Sequence, residues 1–378
     1  MSEQRRKLKV GIDVSEAFFE GYGGVILYAK EIIKSFIGSD EFDIFLFSFK
    51  NIPLNEMKKL SDVSVYISPI HIETLWDLII LPVQIKIKRI DVFLSLTHNG
   101  PFFVPSSTRY ICVIHDVAYR FFPQSFKLRE RFFHNLGIKR ALRISDQVIV
   151  DSKNTKNDLI TLYNYPEEKI TPIYLGIKKN VQIFKLREKQ EVLKKFGISD
   201  RFMLFVGNIS PRKNLSKVIE AYKKLPKDLG YQLVIVGARG YKADSEIKKN
   251  ATENADIIIL HAVNSFEMEV IYRAASLLVF MSLYEGFGLP LLEAMACGTP
   301  VLTSNVSSMP EVAKDAALYV EDPNDSSEIS LKMQYILRDK KLQSKLISNG
   351  YKRVKDFSWK KCAHEATQVI NNVYRNNE

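Results

Sequence analysis

Cysteine is scarce in this 378-residue sequence: Cys112, Cys297 and Cys362 lie far apart and form no Cys-x-x-Cys pair. That excludes a disulfide-built scaffold and a structural zinc site, and it suits a reducing cytosol. Long hydrophobic runs are missing too. The longest apolar stretch, residues 75–85, contains Asp77, Pro82 and Gln84. It falls short of the roughly 18 apolar residues of a membrane span. The N-terminus passes from a charged tip into a short β-like run, without the apolar core and small-residue cleavage site of a signal peptide. No repeat shorter than a domain is evident. The net charge is +11, which attracts anionic partners. There is, however, no zinc-finger, RNA-recognition or helix-turn-helix signature, so nucleic acid is not an expected partner. The basic excess is shared almost evenly by the two halves. One local cluster stands out along a predicted helix: Lys127, Arg129, Arg131, Lys139, Arg140 and Arg143.

What is present is a soluble composition, 46% hydrophobic and 26% charged, with enough apolar surface to offset chain entropy. The length suits two domains of about 150–200 residues. In the first half, strands are predicted at 8–14, 42–49, 63–67, 91–96, 110–115 and 147–151, with helices near 24–37, 126–144 and 154–163. These strand runs are continuously apolar instead of alternating, the habit of parallel sheets buried on both faces. The second half restarts the scheme. Strands are expected at 202–206, 231–236, 256–260, 277–282, 300–303 and 318–320. Helices are expected at 215–225, at 265–275 with Ser265 as N-cap, at 290–297, and over most of 325–374. The Lys/Glu-rich stretch 176–197 reads as the boundary. The expected class is α/β: two Rossmann-like doubly wound domains, 1–178 and 179–358, facing a central cleft.

Ligands of such sheets bind beyond the carboxyl ends of the strands, so strand-to-helix turns come first. Residues 284–293, Tyr-Glu-Gly-Phe-Gly-Leu-Pro-Leu-Leu-Glu, follow a strand and open a helix. Gly286 and Gly288 let a ligand approach the backbone. The N–H groups of Phe287, Gly288 and Leu289 at the helix start favour an anion such as phosphate. Glu285 and Glu293 bracket that anion site and suit hydroxyls: Glu285 a transferred sugar, Glu293 a ribose. Acids favoured by a helix dipole account for the same spacing. Arg212 and Lys213, in the turn after strand 202–206, can neutralise a diphosphate, or form a solvated basic turn. Gly21-Tyr22-Gly23-Gly24 joins the first strand to its helix. His115 and Asp116 end another strand, where a histidine is either structural or faces the cleft.

Taken together these segments resemble the retaining glycosyltransferases of family 4, which have the GT-B fold. The resemblance rests on Glu-x7-Glu at 285–293, Glu-Ala-Met-Ala-Cys-Gly-Thr-Pro-Val at 293–301, Ser-Ser-Met-Pro-Glu-Val at 307–312, Val-Gly-Asn-Ile-Ser-Pro-Arg-Lys-Asn at 206–214, and His115-Asp116. It implies hexose transfer from a nucleotide diphosphate sugar to a hydroxyl of a glycan or lipid-linked glycan, with retention of anomeric configuration. Gly207, Asn208, Arg212 and Lys213 would then bind the donor diphosphate, with Asn208 standing where many members have arginine. Gly23 and Gly24 would lie close to donor phosphate and acceptor. His115 would lie beside the reacting carbon, with Asp116 orienting it or binding the acceptor hydroxyl. Domain closure would bring His115 and Gly24 against the donor. The final helix, 359–378, would return to the first domain. No Asp-x-Asp metal motif occurs, so neither metal nor cofactor is expected. Pro211-Arg212-Lys213-Asn214 resembles mannosyltransferase-like members, pointing to GDP-mannose. The implied location is cytoplasmic, peripheral on an anionic inner membrane face through helix 126–144. An epimerase of the same fold, or a non-catalytic sugar-binding subunit, shares the donor loops.

Overall fold

The computed structural model describes residues 6–18, 23–60, 63–178, 185–237 and 254–375. The chain divides into two compact units: Met1–Val117 with Arg129–Gly176 and Trp359–Glu378, and Ala118–Leu128 with Ile177–Ser358.

The first unit carries a parallel sheet of β1 (Leu8–Asp13), β2 (Phe42–Ser48), β3 (Ser64–Ile67), β4 (Val92–Ser95), β5 (Arg109–Ile114), β6 (Gln147–Val150) and β7 (Ile170–Pro172). Their spatial order is β3-β2-β1-β4-β5-β6-β7. The apolar runs explain the layering. Val10, Ile12, Val92, Leu94, Ile111, Val113 and Val148 are fully buried, as strands covered on both faces must be. Helix Trp359–Arg375 belongs to this unit and packs on helix Gly24–Phe36. The Tyr28 and Trp359 ring centroids lie 6.3 Å apart.

The second unit repeats the design with β8 (Phe202–Val206), β9 (Gln232–Val236), β10 (Ile257–Leu260), β11 (Leu277–Phe280), β12 (Val301–Ser304) and β13 (Leu318–Val320). The order is β10-β9-β8-β11-β12-β13, again all parallel. Met203, Phe205, Leu233, Ile235 and Val279 join the helix residues Val218, Ile329 and Met333 in one core. Strand order therefore reverses twice in the molecule, between β1 and β4 and between β8 and β11.

One expectation, the cap of the helix at 265, needs correction, and two further stretches take on helical structure. The 176–197 stretch is not merely a linker: Leu186–Phe196 is a helix that ends at left-handed Gly197. Only Val192 and Leu193 of that helix are buried, so its composition reads as a spacer. The helix at 265–274 is capped by Asn264, not Ser265. The Asn264 side chain accepts from the Glu267 N–H at 2.9 Å, and Glu267 accepts from the Asn264 N–H at 3.0 Å, a reciprocal capping box. The run 75–85 lies within a helical stretch from Glu73 to Lys88, widened to π geometry over Trp76–Ile80. Among the described residues no helix is long and apolar enough to cross a membrane.

Candidate active site

Two loops meet beyond β8 and β11. After β8, Gly207 adopts φ +147°, a conformation that side chains disfavour. A Cβ there would also lie 3.4 Å from the Lys213 side chain. A short 3-10 turn, Pro211–Lys213, follows and ends at left-handed Asn214. The buried Asn214 amide donates to the Pro323 carbonyl at 2.6 Å and anchors the turn. The backbone N–H of Leu283 donates to the Arg212 carbonyl at 2.8 Å, tying the β8 loop to the β11 loop.

The side chains complete that tie. Arg212 Nη1 donates to the Tyr284 carbonyl at 2.7 Å and to Glu285 Oε2 at 2.8 Å. Lys213 Nζ donates to Glu285 Oε1 and stands 5.1 Å from the Phe280 ring centroid. All three charges are largely withdrawn from water, with side-chain exposures of 17% for Arg212, 11% for Lys213 and 10% for Glu285. Burial alone would raise the Glu285 pKa. The charges of Arg212 and Lys213 outweigh it and hold the carboxyl down at about 2. Two cations share one anion.

Ser307 and Ser308 support the loop. The Ser307 hydroxyl donates to the Glu285 carbonyl at 2.7 Å, and the Ser308 hydroxyl to the Phe287 carbonyl at 2.7 Å. Gly288, at φ +109°, turns the chain into helix Leu289–Ala296. The first N–H groups of a helix have no acceptor within it and carry its positive dipole end. Glu293, one turn on, is bonded by the Tyr272 hydroxyl at 2.6 Å, and burial raises its pKa. Asn208 is exposed at the strand end.

Of the residues picked out in the sequence, the structure thus joins Arg212, Lys213 and Glu285 by direct contact, with Gly207 beneath Lys213. His115, Asp116, Gly23 and Gly24 belong to the first unit. Gly23 is extended and precedes the helix that Gly24 opens; Gly21 and Tyr22 lie outside the described residues. His115 follows β5. Its Nδ1 lies 2.8 Å from Asp151 Oδ2 and its Nε2 3.0 Å from the Leu96 carbonyl. A carboxyl group and a carbonyl thus meet the two ring nitrogens. Burial opposes an imidazolium charge, but Asp151 prevails and raises the His115 pKa. Asp151 is the carboxyl group in contact with His115 Nδ1. Tyr28 meets the imidazole edge-on at 5.2 Å. Asp151 and Tyr272 were not singled out by sequence, and the motif at 307–312 did not disclose what Ser307 and Ser308 touch, because each lies 21 or more positions from its partner here.

The basic cluster also changes. Helix Leu128–Ile144 begins after Lys127, and Arg140 is buried, its guanidinium 4.8 Å from the Phe102 ring centroid. Arg129, Lys139 and Arg143 face solvent, beside exposed Phe132 and Phe133.

Doubly wound parallel sheets with a glycine-bounded, cation-bearing turn at the strand reversal are an architecture that many α/β enzymes share. Residues 22–180 match the family described as Glycosyltransferase Family 4, and residues 188–353 match Glycosyl transferases group 1. The chain belongs to glycosyltransferase family 4, and it is a glycosyltransferase. It is 33% identical over 282 residues to O-antigen chain mannosyltransferase B of Escherichia coli, covering 72% of this chain and 73% of that one. It is 28% identical over 273 residues to the serotype-specific mannosyltransferase WbdA of Escherichia coli, 68% of this chain but only 32% of that protein's length. Its fold matches Anabaena HepE, solved in complex with UDP and glucose, with a TM-score of 0.76 over 97% of this chain and 100% of that one at 16% identity. The fold is GT-B.

Proposed function

We propose that the chain transfers mannose from GDP-mannose to a hydroxyl of a glycan or lipid-linked glycan, with retention of configuration and without a metal ion. The buried Arg212–Lys213–Glu285 cluster at the β8/β11 reversal carries this reading. Its net positive charge and the adjoining helix start suit a diphosphate. The names of the O-antigen mannosyltransferase relatives support the sugar.

In this mechanism the bond from the sugar C1 to the β-phosphate oxygen breaks as the acceptor oxygen bonds C1 on the same face. The acceptor proton passes to the departing phosphate, and GDP leaves. Arg212, Lys213 and the 287–289 amides stabilise the charge that grows on that phosphate, the term that dominates in such reactions. Glu285 holds both cations in register before the donor arrives and, with the donor bound, takes sugar hydroxyls. Glu293 receives the ribose. His115, fixed by Asp151 and the Leu96 carbonyl, serves as a positioned cation. The acceptor's lipid brings the enzyme to an anionic bilayer, met by Arg129, Lys139 and Arg143 with Phe132 and Phe133 inserted.

The test is purified protein with GDP-mannose and a glycan acceptor, the anomeric centre of the product read by NMR. Retained configuration, and activity that survives EDTA, are expected. Inverted product refutes the stereochemistry, and loss in EDTA refutes metal independence. Flotation with anionic but not neutral liposomes tests the bilayer arm.

A further inference from the structure

A helix that is apolar on both sides belongs inside a fold, and the helical stretch from Glu73 to Lys88 has only one side inside. That inner side is firmly seated. Trp76, Leu81 and Ile85 are fully buried. Trp76 Nε1 donates to Asp13 Oδ2 at 2.8 Å, and the Phe102 N–H donates to the Asp77 carbonyl at 2.9 Å. The outer side carries Leu75, Ile79, Val83 and Ile87, exposed by 37%, 56%, 46% and 62%, with Ile72 just before the helix at 54%. Spacings of three and four residues put these side chains on one face. No exposed charge interrupts it between Glu73 and Lys86. A continuous apolar surface of this kind marks an interaction site.

The charges at its two ends differ in sign. Glu73 stands at the N-terminal end, and Lys86, Lys88 and Arg89 at the C-terminal end, all exposed. Among the described residues none of the four has an ion-pair partner. Glu73 and Lys86 stand equally far either side of the Ile79–Ile80 peptide bond, and so do Ile72 and Ile87. A two-fold axis through that bond lays a second copy of the helix antiparallel on the first, because in such a contact residue i meets j and j meets i. Ile72 of one copy then faces Ile87 of the other, and Ile79 lies beside the axis. Each Glu73 meets the Lys86 end of the other copy, its own Lys86 being about 20 Å away along the helix. An anionic bilayer fits this face less well. It attracts Lys86, Lys88 and Arg89 but repels Glu73, and an interfacial helix needs a cationic polar side where this one has its buried apolar side. The +11 charge of each copy opposes association, but physiological salt screens it beyond about 8 Å, so the contacts within the pair decide.

We propose that two copies of this chain pair through the Leu75–Ile87 face, antiparallel and two-fold symmetric. Sedimentation equilibrium of the full chain tests it. With rising concentration the mean mass is expected to climb from 43.4 kDa toward twice that value. Ile79→Lys sets two cations against each other at the axis and is expected to weaken pairing at least tenfold, with circular dichroism unchanged. Glu73→Lys and Lys86→Glu are each expected to weaken it about threefold, and the double reversal to restore it. A mass that stays at 43.4 kDa at every concentration overturns the proposal. So does a dimer that Ile79→Lys leaves intact, or a double reversal weaker than both single ones. A wild type that is monomeric in solution but floats with anionic vesicles, and loses flotation with Ile79→Lys, assigns the face to lipid and overturns it too.

Discussion

The two strand-order reversals are the same piece of topology with opposite chemistry. Beyond β8 and β11 stand Arg212 and Lys213 against one carboxylate. Beyond β1 and β4 stand four carboxyl groups and several hydroxyls, with Lys50 paired to one of them, Glu16, at 2.6 Å. A doubly wound sheet supplies a crevice but does not decide its occupant; the side chains on the flanking loops do. One crevice is framed by cations and a helix start, the other by acids and hydroxyls.

The largest effect is expected from unbalancing the cationic crevice. Glu285→Ala leaves Arg212 and Lys213 withdrawn from water without their anion, and should cost about 3–5 kcal/mol of stability, read by urea unfolding. The same carboxylate sets an acid limit. Its folded pKa lies below the unfolded value, so its stabilisation is complete above the unfolded pKa and is lost as pH falls through about 2. A Glu285→Gln variant that keeps the full acid dependence would break this account.

Lys213→Ala should come next. Removing one donor aimed at developing charge costs roughly 10²–10³ in kcat, read as turnover at saturating GDP-mannose. A kcat equal to the wild type would show that Lys213 does not meet the developing charge.

Much of this was legible in the sequence, and the rest has a physical reason for being hidden. Continuous apolar runs disclosed the strands because burial on both faces demands them. The segment 284–293 disclosed a strand-to-helix turn because glycine, proline and acids are local signals. Asp151 was hidden because only the pairing of β5 with β6, Ile114 beside Val150, brings it to His115. Ser307 and Ser308 reach Glu285 only through the β11/β12 neighbourhood. The acidic cavity was hidden for a further reason. Asp13, Asp77 and Ser95 are assembled by three separate segments, and the π-helical turn that places Asp77 has no sequence period of its own.

A smaller effect sharpens the first unit. The His115 pKa is raised in the fold, so its contribution to stability is full below the unfolded value and fades as pH rises through the folded one. Asp151→Asn should lower the His115 pKa, followed by imidazole NMR shifts, and should flatten that alkaline fade. An unmoved titration would mean that the Leu96 carbonyl alone holds the charge. The smallest effect expected is Tyr272→Phe. It removes the hydroxyl that fixes Glu293, worth about 1 kcal/mol, and should raise the donor KM a few-fold with kcat preserved.

The helix Trp359–Arg375 completes the first unit from a segment that follows the second unit in sequence. Translation passes through the whole second unit before Trp359 can cover Tyr28, so the half begun first waits for the one begun later. A stop codon placed just before Trp359 is therefore expected to injure the first unit and spare the second.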